Sequence, residues 1–236
     1  MAGSVALGEH GRRADKPGQL VDEDLAVTVE RGADYVSRGG IKMENALRAF
    51  AIRAEGRSCL DVGASTGGFT DCLLRHGAAH VVTLDVAYGA LDYRLRQSEL
   101  VTVFERVNAR RLECRSLPYR PDLIVVDVSF ISLTKVLPAV LACAAPDFDC
   151  AALVKPQFEV GRERVGKGGV VRSVADRRTA LIQVADAVRD EGYSVCGFAS
   201  SGLPGPAGNR ESFLWVRAGG DRRAADVAEA ARAVEP

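Results

Sequence analysis

The sequence predicts an α/β protein with a mostly parallel seven-stranded sheet and helices on both faces. Short apolar runs alternate with amphipathic segments along most of the chain, which is typical of a doubly wound sheet. Runs such as Leu123–Val128 are apolar throughout, as expected for strands that are covered on both faces. The length of 236 residues suits one sizeable domain and a small appendage. We therefore expect a domain over residues 35–236, preceded by a separate short module over residues 1–34.

The predicted elements follow from periodicity, taken in chain order. A short strand is expected at Leu25–Val29, and an amphipathic helix from about residue 36, ended by Gly56. Strands are then predicted at Ser58–Val62, Val81–Val86, Val101–Glu105, Leu123–Val128, Ala151–Val154, Tyr193–Ala199 and Ser212–Arg217. Helices are predicted at about 66–77, 89–97, 131–144, 174–191 and 221–234. The long connection 156–173 is rich in glycine and arginine, and connections of that length are usually functional or mobile.

Composition limits the classes of function. The formal net charge is zero, so global basicity does not indicate nucleic-acid binding, although a local basic face is compatible with it. The six cysteines include no C-x-x-C pair, and no cysteine–histidine spacing is typical of zinc. We expect a reduced, cytoplasmic chain with no metal site, no signal peptide and no membrane span, present as a monomer or weak homodimer.

A glycine-rich turn follows the first strand of the predicted sheet. Glycines at a strand-to-helix turn let the backbone approach a ligand, with helix N–H groups directed at it. The spacing differs from G-x-G-x-x-G, which weakens a dinucleotide interpretation. An acid before the first glycine suits a ligand with an amino group, such as S-adenosylmethionine. The candidate cofactor-binding residues here are Asp61, Gly63, Ser65, Gly67, Gly68 and Phe69.

Two further candidates lie at the ends of the next strands. Asp85 follows Gly63 by 22 residues, where an acid can accept hydrogen bonds from ribose hydroxyls. Asn108 follows the third strand, at the usual depth for an adenine contact. Two alternatives to an S-adenosylmethionine site remain for the glycine-rich turn and Asp85: a dinucleotide site, or a turn with a purely structural role.

Four charged residues far apart in sequence form the candidate catalytic set: Lys42, Asp127, Lys155 and Glu211. Only five of the 31 basic residues are lysines, so a lysine beside a strand end suggests a need for a compact or titratable ammonium. The carboxyl ends of parallel strands share one edge of a sheet, so these groups can meet in one pocket. Surface ion pairing is the alternative.

Several motifs resemble those of the TlyA (hemolysin A) family of FtsJ-like ribose 2′-O-methyltransferases. They are YVSRGGIKMENAL, CLDVGASTGGFTDCLL, HVVTLDVAYGAL, NARRL, LIVVDVSFISL, LVKPQFEVG and SGLPGPAGNRESFLW, in the family's order. The resemblance implies a Rossmann-like fold and methyl transfer from S-adenosyl-L-methionine to a cytidine ribose in ribosomal RNA. It also implies ribosomal RNA or ribosomal subunits as partners, and a catalytic tetrad of Lys42, Asp127, Lys155 and Glu211.

One departure concerns the N-terminal region. The family normally begins with an S4-type RNA-binding module, and residues 3–30 resemble only the tail of that module. We expect the leading helices to be missing here, which would put ribosome docking in doubt but leave methyl transfer as expected. Two alternatives therefore remain: a small-molecule O-methyltransferase built on the same domain, and a haemolysin.

The role of Lys155 and the secondary candidates also stay open. Lys155 is expected to act as a base or as a protonated group that steers the substrate hydroxyl. Phe130 and Phe158 adjoin the motif residues and are suited either to stacking on a base or to core packing. Cations of the long connection suit phosphate contacts or a solvated loop; they are Arg162, Arg164, Lys167 and Arg172.

Overall fold

A computed structural model describes residues 5–8, 12–13, 20–22, 24–29, 35–220 and 225–235. The chain forms two compact units, Met1–Asp34 and Tyr35–Pro236. The first unit contains three short antiparallel strands in the order β2-β1-β3, namely β1 (Val5–Leu7), β2 (Arg12–Arg13) and β3 (Val27–Val29). The strand expected at Leu25–Val29 is therefore present, two residues shorter than predicted. The kinship of this unit with an S4 module stays a prediction.

The second unit contains the predicted seven-stranded sheet. Its strands are β4 (Ser58–Val62), β5 (His80–Leu84), β6 (Val101–Phe104), β7 (Leu123–Val126), β8 (Asp149–Val154), β9 (Ser194–Ser200) and β10 (Ser212–Arg217). Its helices are α1 (Arg38–Phe50), α2 (Gly68–Arg75), α3 (Tyr93–Arg96), α4 (Leu137–Leu141), α5 (Pro156–Glu159), α6 (Val174–Asp190) and α7 (Val227–Val234). The α/β fold class is confirmed.

The strand order determines which chain ends meet. The sheet runs β6-β5-β4-β7-β8-β10-β9, and β10 is antiparallel to both of its neighbours while the other pairs are parallel. The order reverses between β4 and β7, the position at which open α/β sheets form a ligand crevice. Because β10 runs the other way, its first residue lies at the edge where β4, β5, β7 and β8 end.

Helices cover both faces of the sheet and form two apolar cores. On one face Met43 and Leu73, from α1 and α2, pack with Phe213 of β10. On the other face Leu137 and Val184, from α4 and α6, pack with Ile124 of β7. These side chains are fully or almost fully buried, and each contributes roughly 1.5–3 kcal/mol relative to exposure. The double coverage explains why a central strand such as β7 is apolar throughout.

Four helix predictions differ from the structure. The helix expected at 221–234 is present as Val227–Val234, and residues 221–224 lie outside the described residues. Helix α1 ends at Phe50, not at Gly56, because Ala51 takes the left-handed conformation (φ 52°) and its N–H bonds to the last turn. The region 131–144 forms a 3-10 turn and then α4, because Pro138 lacks an N–H and suits only a first helical turn. The helix expected at 89–97 forms only over Tyr93–Arg96.

The expectation of a fully reduced chain is contradicted. Cys114 and Cys143 form a disulfide, with Cα atoms 4.9 Å apart. Cys114 lies in a 3-10 turn between β6 and β7 and Cys143 follows α4, so the fold joins residues that are 29 positions apart. Sequence spacing gives no sign of this pairing. Cys59 and Cys150 are buried thiols in strands, as predicted.

The long connection 156–173 is anchored in its second half. The Asn209 side chain, which is almost fully buried, accepts a hydrogen bond from Val171 N (2.9 Å) and donates one to Gly169 O (2.8 Å). Arg177 donates to Arg172 O (2.8 Å) and forms a buried ion pair with Glu235 (2.7 Å). This part of the connection is therefore held against α6 and the loop before β10.

Candidate active site

A cavity of about 360 Å³ lies at the carboxyl edge of the sheet, beside the point where the strand order reverses. All four dispersed charged residues line it, together with residues of the glycine-rich turn: Asp61, Gly63, Ser65, Gly68 and Phe69. Residues before α1 and in the loop before β10 complete the wall. The fold thus brings groups from five separate segments into one cleft.

The four charged residues form two ion pairs. Lys42 Nζ lies 2.5 Å from Glu211 Oε2, and both residues are buried. Lys155 Nζ lies 2.6 Å from Asp127 Oδ1 and also donates to Ser129 Oγ at 2.9 Å. Each lysine is therefore held by a carboxylate from a different segment, and at the buried Lys42–Glu211 pair an isolated charge would be strongly disfavoured.

Local structure places each member of the pairs. Ser37 caps α1 by accepting from Gly39 N, which fixes the helix start and directs Lys42 of the second turn into the cleft. Asp127 and Lys155 directly follow the neighbouring parallel strands β7 and β8. Glu211 directly precedes β10, so the reversed strand brings its residue to the same edge.

Two glycines shape the turn in different ways. Gly63 has φ 84°, and a Cβ there would lie 2.4 Å from Asp127 O, so only glycine allows β4 and β7 to end so close together. Gly67 has φ 94°, and a Cβ there would lie 2.3 Å from the side chain of Leu95. Gly67 does not line the cleft, so it forms the turn without lining the predicted ligand site.

Asp61 is a fully buried carboxylate that borders the cleft. Its Oδ2 accepts hydrogen bonds from Thr70 N (3.1 Å) and Thr70 Oγ1 (2.6 Å). Its Oδ1 has no hydrogen-bond partner among the described residues. Burial raises the pKa of Asp61 to about 7, assisted by the negative charges of Asp127 and Asp85 and opposed by the Thr70 hydrogen bonds. A cationic ligand would satisfy the unpartnered oxygen.

A second cavity of about 390 Å³ adjoins the first and shares Gly63, Ser65 and Asp127 with it. Asp85 and Asn108 line this second cavity. Asp85 accepts from Ser65 N and Ala87 N, both at 2.8 Å, and this fixes its carboxylate between the ends of β4 and β5. Asn108 Oδ1 accepts from Arg110 N at 3.1 Å, so the side chain is oriented by its own turn. An elongated ligand can occupy both cavities.

The secondary candidates are spread around this site. Phe130 lines the second cavity, is 92% exposed, and has its ring centroid 5.2 Å from that of Phe158. Its backbone is in the left-handed region (φ 63°), which is strained for an aromatic residue. Arg164 pairs with Asp176 (3.6 Å), away from the residues that line the two cavities.

Sequence reasoning missed three kinds of contact. Ser129 receives a hydrogen bond from Lys155, and its place two residues after Asp127 in a motif was the only signal that could have identified it. Arg38 lines the cleft and donates to Pro204 O at 2.8 Å, a contact across 166 residues that no local pattern predicts. Ser37 lines the cleft as well as capping α1.

The fold and the cleft together define a Rossmann-like methyltransferase. A family model described as FtsJ-like methyltransferase matches residues 35–218. The chain belongs to this family, and within it to the TlyA (hemolysin A) group, since it is 49% identical to the TlyA 16S/23S rRNA (cytidine-2′-O)-methyltransferase of Mycobacterium tuberculosis (strain CDC 1551 / Oshkosh). That alignment spans 223 residues, 94% of this chain and 82% of the relative. The protein is therefore an enzyme that transfers methyl groups.

Solved structures agree with this assignment. A protein from Streptococcus thermophilus that is named as a hemolysin is 36% identical to this chain. Its structure superimposes with a TM-score of 0.84 over 99% of this chain and 86% of that chain. A Burkholderia thailandensis N1-methyltransferase with bound S-adenosylhomocysteine is 16% identical, with a TM-score of 0.53 over 77% and 79% of the two chains, and it shares the fold. Within the described part of the chain, no helix has the length and apolar character needed to cross a membrane.

Proposed function

We propose that this enzyme transfers a methyl group from S-adenosyl-L-methionine to the ribose 2′-hydroxyl of a cytidine in ribosomal RNA. The observation that carries this proposal is the pair of lysine–carboxylate contacts in one cleft, beside the glycine-rich turn. Two positioned ammonium groups suit a hydroxyl nucleophile that must be oriented and must lose a proton. The 49% identity to a protein named as an rRNA cytidine-2′-O-methyltransferase supports the choice of substrate.

The residues of the two cavities fit this cofactor. Asp61 Oδ1, which is buried and unpartnered, would accept a hydrogen bond from the amino group of the methionyl end. Backbone amides of the turn would donate hydrogen bonds to the methionyl carboxylate. Asp85 would accept hydrogen bonds from the ribose hydroxyls, and Asn108 would contact the adenine. When bound, the cofactor supplies an electrophilic methyl carbon. Ser65, Gly68 and Phe69 line the cleft and would lie beside the methionyl end, and Gly63 borders both cavities.

Lys155 is the residue that would contact the substrate hydroxyl. As an ammonium it has three hydrogens; one is donated to Ser129 Oγ while Asp127 lies in ion-pair contact, so a further hydrogen can orient the hydroxyl. As a neutral amine it would instead accept the hydroxyl proton. Lys42 and Glu211 form another wall of the same cleft and neutralise each other, so they position the site without adding net charge.

The RNA itself would meet exposed groups at the rim. Phe130 presents an almost fully exposed ring beside Asp127, a position suited to stacking on a base, where each such contact contributes roughly 1–3 kcal/mol. Cations of the long connection, Arg162 and Lys167 among them, are exposed and available to phosphates. A ribosomal substrate would also place the enzyme in the cytoplasm.

A transfer assay tests the proposal. The purified protein, with tritiated S-adenosyl-L-methionine, should label isolated ribosomal subunits or ribosomal RNA, and mass spectrometry of digested RNA should locate the methyl group on a cytidine ribose. Small hydroxylated compounds serve as the competing substrate class, and Lys155→Ala protein serves as the background. Labelling of small compounds with none in ribosomal particles, at any salt concentration, would contradict an RNA substrate.

Replacing Asp85 by alanine should weaken cofactor binding about 10-fold to 100-fold. The change removes the acceptor for the ribose hydroxyls, and hydrogen bonds to a charged group contribute about 1.5–3 kcal/mol. It also releases Ser65 N and Ala87 N, which hold the turn. Titration calorimetry with the cofactor measures the effect. The matched control is Glu99→Ala, which changes an exposed acid between α3 and β6. Equal cofactor affinity in both variants would show that Asp85 does not contact the cofactor.

A further inference from the structure

Glu159 is a buried carboxylate close to the candidate catalytic residues, and the mechanism above gives it no role. It ends the single-turn helix α5, which begins directly after Lys155, and it is only 7% exposed. Its Oε1 accepts from Leu133 N at 2.9 Å and its Oε2 accepts from Ser132 Oγ at 2.6 Å. Both donors are neutral, so the charge is buried without an ion-pair partner in these contacts, an arrangement with a substantial free-energy cost.

The hydrogen-bond partners of Glu159 show which part of the structure this buried carboxylate holds in place. Ser132 and Leu133 end the loop that begins at Asp127, directly after β7. The same loop carries Ser129, which receives the Lys155 hydrogen bond, and Phe130 in its strained conformation. Burial raises the pKa of Glu159, in keeping with a carboxyl group held in place despite an unfavourable site.

The 127–133 loop and the segment 155–159 are therefore in contact at both of their ends. At the sheet edge Lys155 contacts Asp127 and Ser129 of the loop, and four residues further on Glu159 contacts the end of the same loop. The rings of Phe130 and Phe158 meet between these two points. Leu133 is also buried in the apolar core, and Val128 and Ile131 pack against that core, so the Glu159 hydrogen bonds add directional contacts to the apolar packing of the loop.

We propose that Glu159 is a positioning residue for methyl transfer: its two hydrogen bonds hold the 127–133 loop so that Asp127 and Ser129 aim the Lys155 amine at the substrate hydroxyl. This inference rests on the proposed function, since it concerns the same Lys155. Small displacements of a catalytic group have large kinetic effects, because the reacting atoms must be held near attack distance. The S-adenosylmethionine cavities do not include Glu159, so cofactor affinity should not depend on it.

The test compares four variants of the full chain in the ribosomal transfer assay. Glu159→Ala should lower kcat about 10-fold to 100-fold, with the cofactor Kd within 2-fold of wild type. Glu159→Gln should recover most of the rate, because its amide oxygen accepts from Leu133 N and its amide group donates to Ser132 Oγ. Ser132→Ala removes one of the two bonds, and its kcat should lie between those of Glu159→Ala and Glu159→Gln. Glu163→Ala changes an exposed acid nearby, and its kcat should match that of wild type.

Three outcomes would overturn the inference, and each differs from failure of the proposed function. The first is wild-type kcat in folded Glu159→Ala protein, and the second is a glutamine variant as slow as the alanine variant. The third, a loss of cofactor affinity equal to the loss of rate, would indicate general structural damage. If the alanine variant does not fold, Ser132→Ala and Glu159→Gln still decide, since a positioning role requires the first to be slower than the second. A wild-type protein inactive on every RNA substrate would refute the proposed function instead.

Discussion

Lys155→Ala should reduce methyl transfer at least 1000-fold while leaving cofactor affinity nearly unchanged. The substitution removes the amine that lies between Asp127 and Ser129 and faces the cleft, so the substrate hydroxyl loses both its orienting partner and its route for proton loss. General acid–base contributions are about 100-fold to 10,000-fold, and lost orientation adds to them. Initial rates on ribosomal subunits and calorimetry with the cofactor measure the two effects separately.

Two further variants locate the origin of this loss. Lys135→Ala is a matched control, since Lys135 is an exposed lysine in a 3-10 turn after the same loop, and its rate should equal that of wild type. Lys155→Arg keeps a cation that cannot act as a base. If the lysine steers as an ammonium, the arginine variant should retain measurable activity, whereas a base mechanism requires it to be as inactive as the alanine variant. Wild-type activity in Lys155→Ala would eliminate the assigned role.

Asp61→Asn should lower the affinity for S-adenosyl-L-methionine about 100-fold or more. Asparagine can keep the Thr70 hydrogen bonds through its oxygen, but it places an NH₂ donor where the unpartnered Oδ1 of Asp61 lies. A donor opposite the cofactor ammonium repels it, and the substitution removes a charge-assisted hydrogen bond. Calorimetry measures the loss, and affinity equal to that of wild type would show that the methionyl amine binds elsewhere.

The same carboxylate predicts a dependence on pH. Burial raises the pKa of Asp61 to about 7, compared with about 3.9 for an unfolded aspartate. Between these values the folded protein binds one more proton at this site than the unfolded chain, so this group's contribution to stability decreases as pH rises through that window. The proposed contact with the cofactor amine requires the ionised form of Asp61, so affinity should be lower at pH 6 than at pH 8. In Asp61→Asn protein this difference should disappear.

Much of the fold was predictable from the sequence because its strands are buried on both faces. A doubly covered sheet makes apolar runs such as Leu123–Val126 and Ala151–Leu153 continuous, and the helices between them are amphipathic. The helix ends were less predictable. Ala51 takes a conformation that glycine usually provides, so the more conspicuous Gly56 gave the wrong boundary.

The candidate site was predictable in its residue types but not in its contacts. Lysine scarcity and strand ends identified Lys42 and Lys155, yet nothing in the sequence states which carboxylate pairs with which lysine. That depends on the reversed direction of β10, a property of three-dimensional pairing that strand periodicity does not encode. The disulfide between Cys114 and Cys143 depends in the same way on how the β6–β7 connection lies beside α4.

The Lys42–Glu211 pair has a consequence for biosynthesis. Its members are separated by 169 residues, one in the first helix of the domain and the other just before its last strand. Domains are made from the N-terminus onward, and contacts between distant residues form only after the intervening chain is available. A nascent chain that has been synthesised only to residue 200 therefore contains the glycine-rich turn but lacks Glu211, which lines the cleft. With the catalytic role proposed for these residues, we expect methyl transfer to begin only after residue 211 has left the ribosomal exit tunnel.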